Sequence, residues 1–442
     1  IYGISWEGLS VGDEKVHTFD QDRDLTYLKC RSDNLGGFVD GMEWTVSRQA
    51  QSEDQYRVKR DDTSDRQGFD VITWGGSLQL DSDTALGEWI YGVEYYRDGV
   101  DSYANRYRAN GDLQSVAIQG PVADEASYDS LGVYVEDTIR ILDEQLDIVP
   151  GARYTYSKAS ADRVQDPVTG DPMAVNGDWD AVAGSLRFLH PLTADRKHVI
   201  FAGVSQGFRA PNLSDLTRLD IARSTEIETP VSDLEPEEYV AYEIGLKSRF
   251  ERLVSQASYY YTTIDKMILR APTGRTVEGL DEVTKKNSGQ GYVQGVELSE
   301  TYTITREWST WLAASWMDGK VDAYPTSDTV MERDYISRLM PPTMQLGLRW
   351  QREDRKYWAE LVGNAAARAD KLSADDERDT QRIPPGGTPS YAVCHVRIGS
   401  NVTKDLGVSL AMENVFNEDY RIHGSGVNEP GRNIVLAADA SF

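Results

Sequence analysis

Two charged residues stand at the ends of a long polar insertion: Arg209 in the segment FRAPN, Phe208–Asn212, and Glu237 in DLEPE, Asp233–Glu237. Arg209, Asn212 and Glu237 at facing strand ends can meet an incoming molecule at the mouth of a loop. They can equally anchor that loop to the rim beneath it, with Pro211 and Pro236 ending the flanking strands. No nucleophile–base constellation accompanies them. HExxH, P-loop and GxSxG patterns are all absent, so no covalent chemistry and no resident cofactor is expected, and the chain does not read as an enzyme. Asp20-Gln-Asp22-Arg-Asp24 opens like a calcium loop, but Leu25 and Arg31 stand where the loop glycine and the bidentate glutamate belong. Cys30 and Cys394 lie too far apart in sequence to suggest a zinc site or a redox pair.

The elements that must carry these residues alternate with period two. In the run from Leu131 to Arg140, Leu131, Val133, Val135 and Ile139 share one face and Glu136, Thr138 and Arg140 the other, with Asp137 breaking the apolar row. In Tyr242–Arg249, Tyr242, Ile244 and Leu246 oppose Glu243, Lys247 and Arg249. Trp89, Tyr91, Val93 and Tyr95 oppose Glu94 in the same way. No long stretch carries a helical period. About 18 such strands are expected, the first near residues 1–8 and the last near 431–442. Long connections near 9–23, 54–68, 100–126, 159–176, 211–236, 271–281, 323–337, 373–389 and 421–430 alternate without a break with short ones. Short turns on one side and long loops on the other are the pattern of an outer-membrane barrel.

Composition narrows the class. The 442 residues carry 46 basic and 72 acidic side chains, a net charge of -26, which excludes sequence-independent nucleic-acid binding. Aromatic residues make up 10% of the chain and run along its whole length, unlike a disordered polyelectrolyte. Mean hydropathy is -0.51 and no run of 18 apolar residues occurs, yet membrane strands need none, because lipid-facing and lumen-facing residues alternate. The expected fold is therefore all-β: a transmembrane antiparallel up-and-down barrel spanning residues 1–442. The final segment alternates up to Phe442, a terminal aromatic that resembles an outer-membrane assembly signal and sets the C-terminus on the periplasmic side. All the long loops then fall outside the cell. A barrel this wide encloses either a channel or a plugged lumen, and nothing before residue 9 could form a plug. Lumen-facing Glu94, Glu136, Glu243, Glu297 and Glu413 are candidate plug contacts, since buried acids need partners; in a water-filled lumen they would simply be solvated.

FRAPN at Phe208–Asn212, DLEPEEYVAYEIGLK at Asp233–Lys247, GYVQGVEL at Gly291–Leu298 and ENVFNEDYRIHGSGVNEPGRN at Glu413–Asn433 resemble TonB-dependent outer-membrane receptors, over the barrel portion of that family. The first two are similar to the FRAP and NPNL motifs of the haem and haemoglobin receptor branch. The resemblance implies a barrel of 22 strands, of which about 18 would lie in this chain, with the N-terminal plug and the first strands absent from it. It implies active uptake of an iron chelate, siderophore or haem, across the bacterial outer membrane, driven by the TonB complex. The implied partners are outer-membrane lipid and lipopolysaccharide, a plug domain, TonB, and an extracellular chelate or haem protein. Haem-type members carry a histidine between the two motifs, whereas this chain has none between Asn212 and Asp233. Of its five histidines only His17 and His423 fall in expected extracellular loops. Imidazole suits iron, so His423, beside Tyr420 and Arg421, is the candidate haem ligand, against the reading of a structural loop histidine. The competing functional class is a passive porin; a barrel enzyme would need a rim constellation that the sequence lacks.

Overall fold

Period-two sequence makes strands here because each alternate side chain finds a different solvent. Tyr242, Ile244 and Val296 stand exposed on the outer face, as do Met344, Leu346, Leu361 and Ile398, while Glu243, Glu297 and Gln345 point inward. In water such an outer surface would be a large apolar patch; against lipid it is the expected face. The computed structural model describes residues 14–223, 225–277, 279–380 and 382–441. Within them lie 21 strands in one sheet, and four of these are only four residues long, which leaves 17 to build the wall.

Each wall strand pairs antiparallel with the next, without a break, from Glu14–Asp33 to Asn433–Ala440. This is the up-and-down order expected, and the 17 correspond one to one with expected strands. The strand expected near 1–8 and the terminal Phe442 lie outside the described residues. Trp308 and Trp316 sit eight residues apart on the outer face of one strand, Trp308–Ala323. Eight residues rise roughly 27 Å along a strand, or about 21 Å along the membrane normal at a tilt near 40°. That is close to the height of an apolar band of about 25 Å flanked by aromatic girdles.

Strand length departs from expectation. The connections expected at 54–68 and 271–281 are mostly ladder: Val58 pairs with Ser64, and Val277 with Leu280. The loop expected at 9–23 is strand from Glu14 onward, which also places Asp20, Asp22 and Asp24 in a ladder rather than in an ion-binding loop. At 159–176 only residues 166–171 leave the strands Leu146–Gln165 and Pro172–Pro191. The physical reason is that backbone hydrogen bonding continues above the lipid, where both faces meet water and the apolar alternation ends. On the later wall the strands are shorter than expected: Thr343–Gln351, Tyr357–Ala366, Leu406–Glu413. There the chain leaves the sheet early, and the loops fold on each other instead.

The hydrophobic core lies at the long-loop rim rather than in mid-wall. Leu213, Leu216 and Leu234 of the long insertion pack against Val100, Ala126, Ala159, Ala161 and Val175. Those five wall residues sit on the inward parity, opposite the lipid-facing Tyr95, Leu131 and Tyr154. The insertion therefore folds inward and roofs part of the lumen.

Candidate functional site

Arg209 and Glu237 are the last pair of the ladder between strands His198–Arg209 and Glu237–Arg249. Their side chains meet as a fork: Arg209 Nε donates to Glu237 Oε2 and Nη2 to Oε1, both at 2.7 Å. Arg209 Nη1 also donates to Asp215 Oδ2 at 2.6 Å. Glu237 is 2% exposed and takes two more donors, Tyr239 OH and the Ile268 N–H at 2.8 Å. Burial pushes its pKa up, but the donors from Arg209, Tyr239 and Ile268 outweigh it and hold the carboxyl below its usual range. The same pairing raises Arg209 further above its ordinary value.

The local sequence explains this geometry. Pro211 leaves the ladder, and Asn212 caps the one-turn helix Leu213–Thr217, accepting from Asp215 N at 2.8 Å while Asp215 Oδ2 accepts from Asn212 N at 3.1 Å. Asp215 thus joins the cap to Arg209. Beyond it the turn is pinned to its neighbours: Thr217 Oγ1 accepts from Ala123 N, Gln119 Nε2 donates to Thr217 O, and Trp179 Nε1 donates to Leu234 O. Arg209, Asn212 and Glu237 are brought together as the footing of the roof; of the three, Asn212 keeps an exposed side chain.

Beside this roof opens a cavity of about 1130 Å³ that the sequence did not single out. Its lining includes Arg218, Arg270, Lys285, Arg338, Arg378 and Arg382, against Glu226, Glu228, Asp375, Asp376 and Asp379. Six cations and five acids make it locally balanced within a chain of net charge -26. The insertion hairpin supplies one wall: its strand Glu226–Thr229 runs parallel to Asp281–Thr284. Arg270 Nη1 donates to Glu226 Oε1 at 2.8 Å, Ser327 Oγ donates to the same oxygen at 2.5 Å, and Arg270 Nη2 to Tyr324 O at 3.0 Å. Lys285 lies 3.2 Å from Glu228, and Arg382 3.0 Å from Asp379. Burial lowers the Arg270 pKa. Four separate segments supply this lining, and no motif joins them, which is why sequence reading passes over it.

Tyr420, Arg421 and His423 form a packed node between loops. The Tyr420 ring lies 4.6 Å from that of Tyr391. Arg421, 2% exposed, donates from Nε to Asn428 Oδ1 at 2.9 Å and from Nη1 to Arg382 O at 3.1 Å. His423 is 6% exposed; its Nδ1 meets Thr388 Oγ1 at 2.9 Å and its Nε2 is buried without a hydrogen-bond partner. Burial lowers its pKa, so the neutral ring is favoured. Iron could reach Nε2 only if the two loops parted.

The inward acids divide into two groups. Glu94, Glu136 and Glu413 find arginines on the wall itself: Arg153, Arg187 and, at 3.9 Å, Arg397. Glu243 and Glu297 have no ion-pair partner among the described residues and stand on the two strands that flank Leu253–Val277, two residues apart along it, with Ser258 facing Glu297 and Tyr260 facing Glu243.

With this geometry in view, the family described as TonB dependent receptor-like, beta-barrel matches residues 7–415. The chain is 23% identical over 351 residues to the vitamin B12 transporter BtuB of Photobacterium profundum, covering 79% of this chain and 46% of that protein. Among solved structures, the copper transporter OprC superposes with a TM-score of 0.75 at 18% identity, over 95% of this chain and 65% of that one. The siderophore receptor PiuA from Acinetobacter baumannii gives 0.72 at 16% identity, over 96% and 64%. The chain spans about half the length of the curated relatives it matches.

Proposed function

The chain belongs to the TonB dependent receptor-like β-barrel family of the bacterial outer membrane, and on that premise we propose that it is the wall and mouth of an active-transport receptor for an iron chelate. The observation that carries the reading is the inward-folded insertion with the charged cavity of about 1130 Å³ beside it. A roof footed on an ion pair whose acid is buried gives the mouth a fixed wall, which serves a receptor that must bind before it passes cargo. Binding falls to the cavity; passage falls to the lumen wall, once a plug domain is moved by TonB. Glu243 and Glu297, unpaired on the inner wall, are then the natural contacts for cationic groups of that plug.

Between the two cargo classes, the cavity favours a siderophore over haem. Its lining is dominated by charged and hydroxyl side chains, which suit a hydrophilic chelate with many oxygen donors better than a flat apolar porphyrin. His423, the candidate axial ligand, is buried against Thr388. The similar proteins are named for vitamin B12, copper and siderophore transport and, in one structure, for a hemophore receptor with heme, so a metal or its complex is what their names share. The test is titration of the purified receptor with ferric siderophores and with haemin, followed by tryptophan quenching and by the Soret band. Saturable quenching by a ferric siderophore without a Soret shift is expected; a Soret shift lost in His423→Ala would replace this cargo by haem.

A further inference from the structure

Burial sorts the charges of the cavity beside the roof. Its acids stand mostly behind the lining: Glu226, Glu228 and Asp376 are 5% exposed or less. Each is engaged in holding the wall together. Glu226 accepts from Arg270 and Ser327, and Glu228 faces Lys285. Asp376 accepts from Ser337 Oγ at 2.8 Å, from Arg338 N at 3.1 Å and, in the cap of the helix Ala374–Arg378, from Ser373 N at 3.0 Å. The cations stand forward. Arg218, Arg338, Arg378 and Arg382 keep between 39% and 53% of their side chains exposed, in company with Asp375 and, in part, Asp379. The surface that a solute meets is therefore cationic, although the lining as a whole is close to balanced.

Two of these guanidiniums are set as a pair. Arg338 Nη2 lies 3.5 Å from Asp379 Oδ2, and Arg382 Nη1 donates to the same oxygen at 3.0 Å. Among the described residues no other carboxylate pairs with either. Their stems lie against the last long loop, where a Cβ on Gly424 would stand 3.2 Å from Arg338 Cδ and one on Gly426 3.2 Å from Arg382 Cγ. Held at both ends, the pair has little side-chain freedom left to lose on binding. A guanidinium carries five N–H donors in one plane, so a single oxygen shared between two of them leaves most donors for an incoming oxyanion.

The uncharged lining is equally specific. None of the described residues around the cavity is aromatic or aliphatic; those without charge are serines and threonines. A catechol ring finds no aromatic face to stack on there. A cationic hydroxamate chelate meets a surface of its own sign. A carboxylate matches the planar guanidinium fork.

We propose that the cavity takes an iron chelate whose periphery carries free aliphatic carboxylates, with Arg338 and Arg382 as the residues that select it. The proposal rests on the reading of this cavity as the cargo site and narrows that reading to one chemical class.

The test measures equilibrium binding of radiolabelled iron to the complete receptor in mild detergent. The probes are ferric rhizoferrin, a polycarboxylate; ferric enterobactin, a catecholate; and ferrioxamine B, a cationic hydroxamate. Ferric rhizoferrin should bind about tenfold more tightly than either of the others. Arg338→Gln/Arg382→Gln should remove that advantage, and Lys197→Gln/Lys404→Gln, at the short-turn rim, should keep it. Should the first double variant fail to assemble, raising salt from about 0.05 M to about 0.5 M should shrink the advantage over ferrioxamine B in the unaltered receptor about fivefold; an unchanged ratio overturns the proposal. Equal or tighter binding of the catecholate or the hydroxamate, or an undiminished preference in the first double variant, overturns it too and leaves the iron-chelate reading standing. Binding of none of the three overturns both.

Discussion

At the scale of the residue, Glu237 is the group on which the mouth depends. Four hydrogen bonds reach its two oxygens, and two of them come from one guanidinium. Arg209→Ala leaves that carboxylate buried without its cation. A wholly buried pair broken in this way costs about 3–5 kcal/mol; about 2–3 kcal/mol is expected here, because Arg209 is itself partly solvated. Arg209→Lys restores charge but not the fork, so it should recover only part of the loss. Hydrogen exchange of the Ile268 amide, which bonds Glu237 directly, measures both. The pair also sets an acid limit. A carboxyl whose folded pKa is depressed contributes its stability above the unfolded value of about 4.3 and loses it as pH falls through the folded value. His423 acts in a higher window by the same sign. Its folded pKa is lowered, so its contribution is whole above about pH 6.5 and declines as pH falls below that. Protection from exchange in the 421–430 loop, referred to the intrinsic rate at each pH, should therefore fall below pH 6.5, and His423→Gln should flatten that dependence.

At the scale of the element, the roof is a one-turn helix that could not persist alone. Its capping box and two buried leucines dock it onto the inner wall. Leu216 is fully buried, so Leu216→Ala should cost about 2–4 kcal/mol and free the insertion to proteolysis between residues 218 and 231, with the wall strands still protected. Gly387 makes a comparable test of the facing loop. Its φ is +96°, and a Cβ there would stand 1.8 Å from Ala369 O, so Gly387→Ala should displace the 366–390 loop and expose His423 to chemical modification. What the sequence revealed at this scale follows from solvent. Strand order was readable because lipid and lumen impose alternation on Leu131–Arg140 and Tyr242–Arg249. Strand ends were not, because Glu53 pairs with Phe69 and Asp54 with Gly68 above the lipid, where nothing selects one face. The footing was readable as two strand ends carrying Arg209 and Glu237. The cavity was not, because Arg270, Glu226 and Arg338 become neighbours only after three hairpins close on one another.

At the scale of the whole molecule, three surfaces divide the work. The apolar band meets lipid, the inner wall is lined by paired and unpaired acids, and the long-loop rim gathers the core, the roof and the charged cavity. On the proposed reading, this arrangement suits a receptor rather than a pore. A pore would leave the rim open and the wall solvated, and its flux would follow the concentration gradient. A receptor holds cargo at the rim and waits for energy. Uptake of radiolabelled iron as a ferric siderophore, by cells expressing the complete receptor, before and after collapse of the proton motive force, tests this most directly. The account predicts saturable uptake that falls to background on collapse while surface binding persists. Uptake that continues unchanged after collapse would contradict it and make the barrel a diffusion channel.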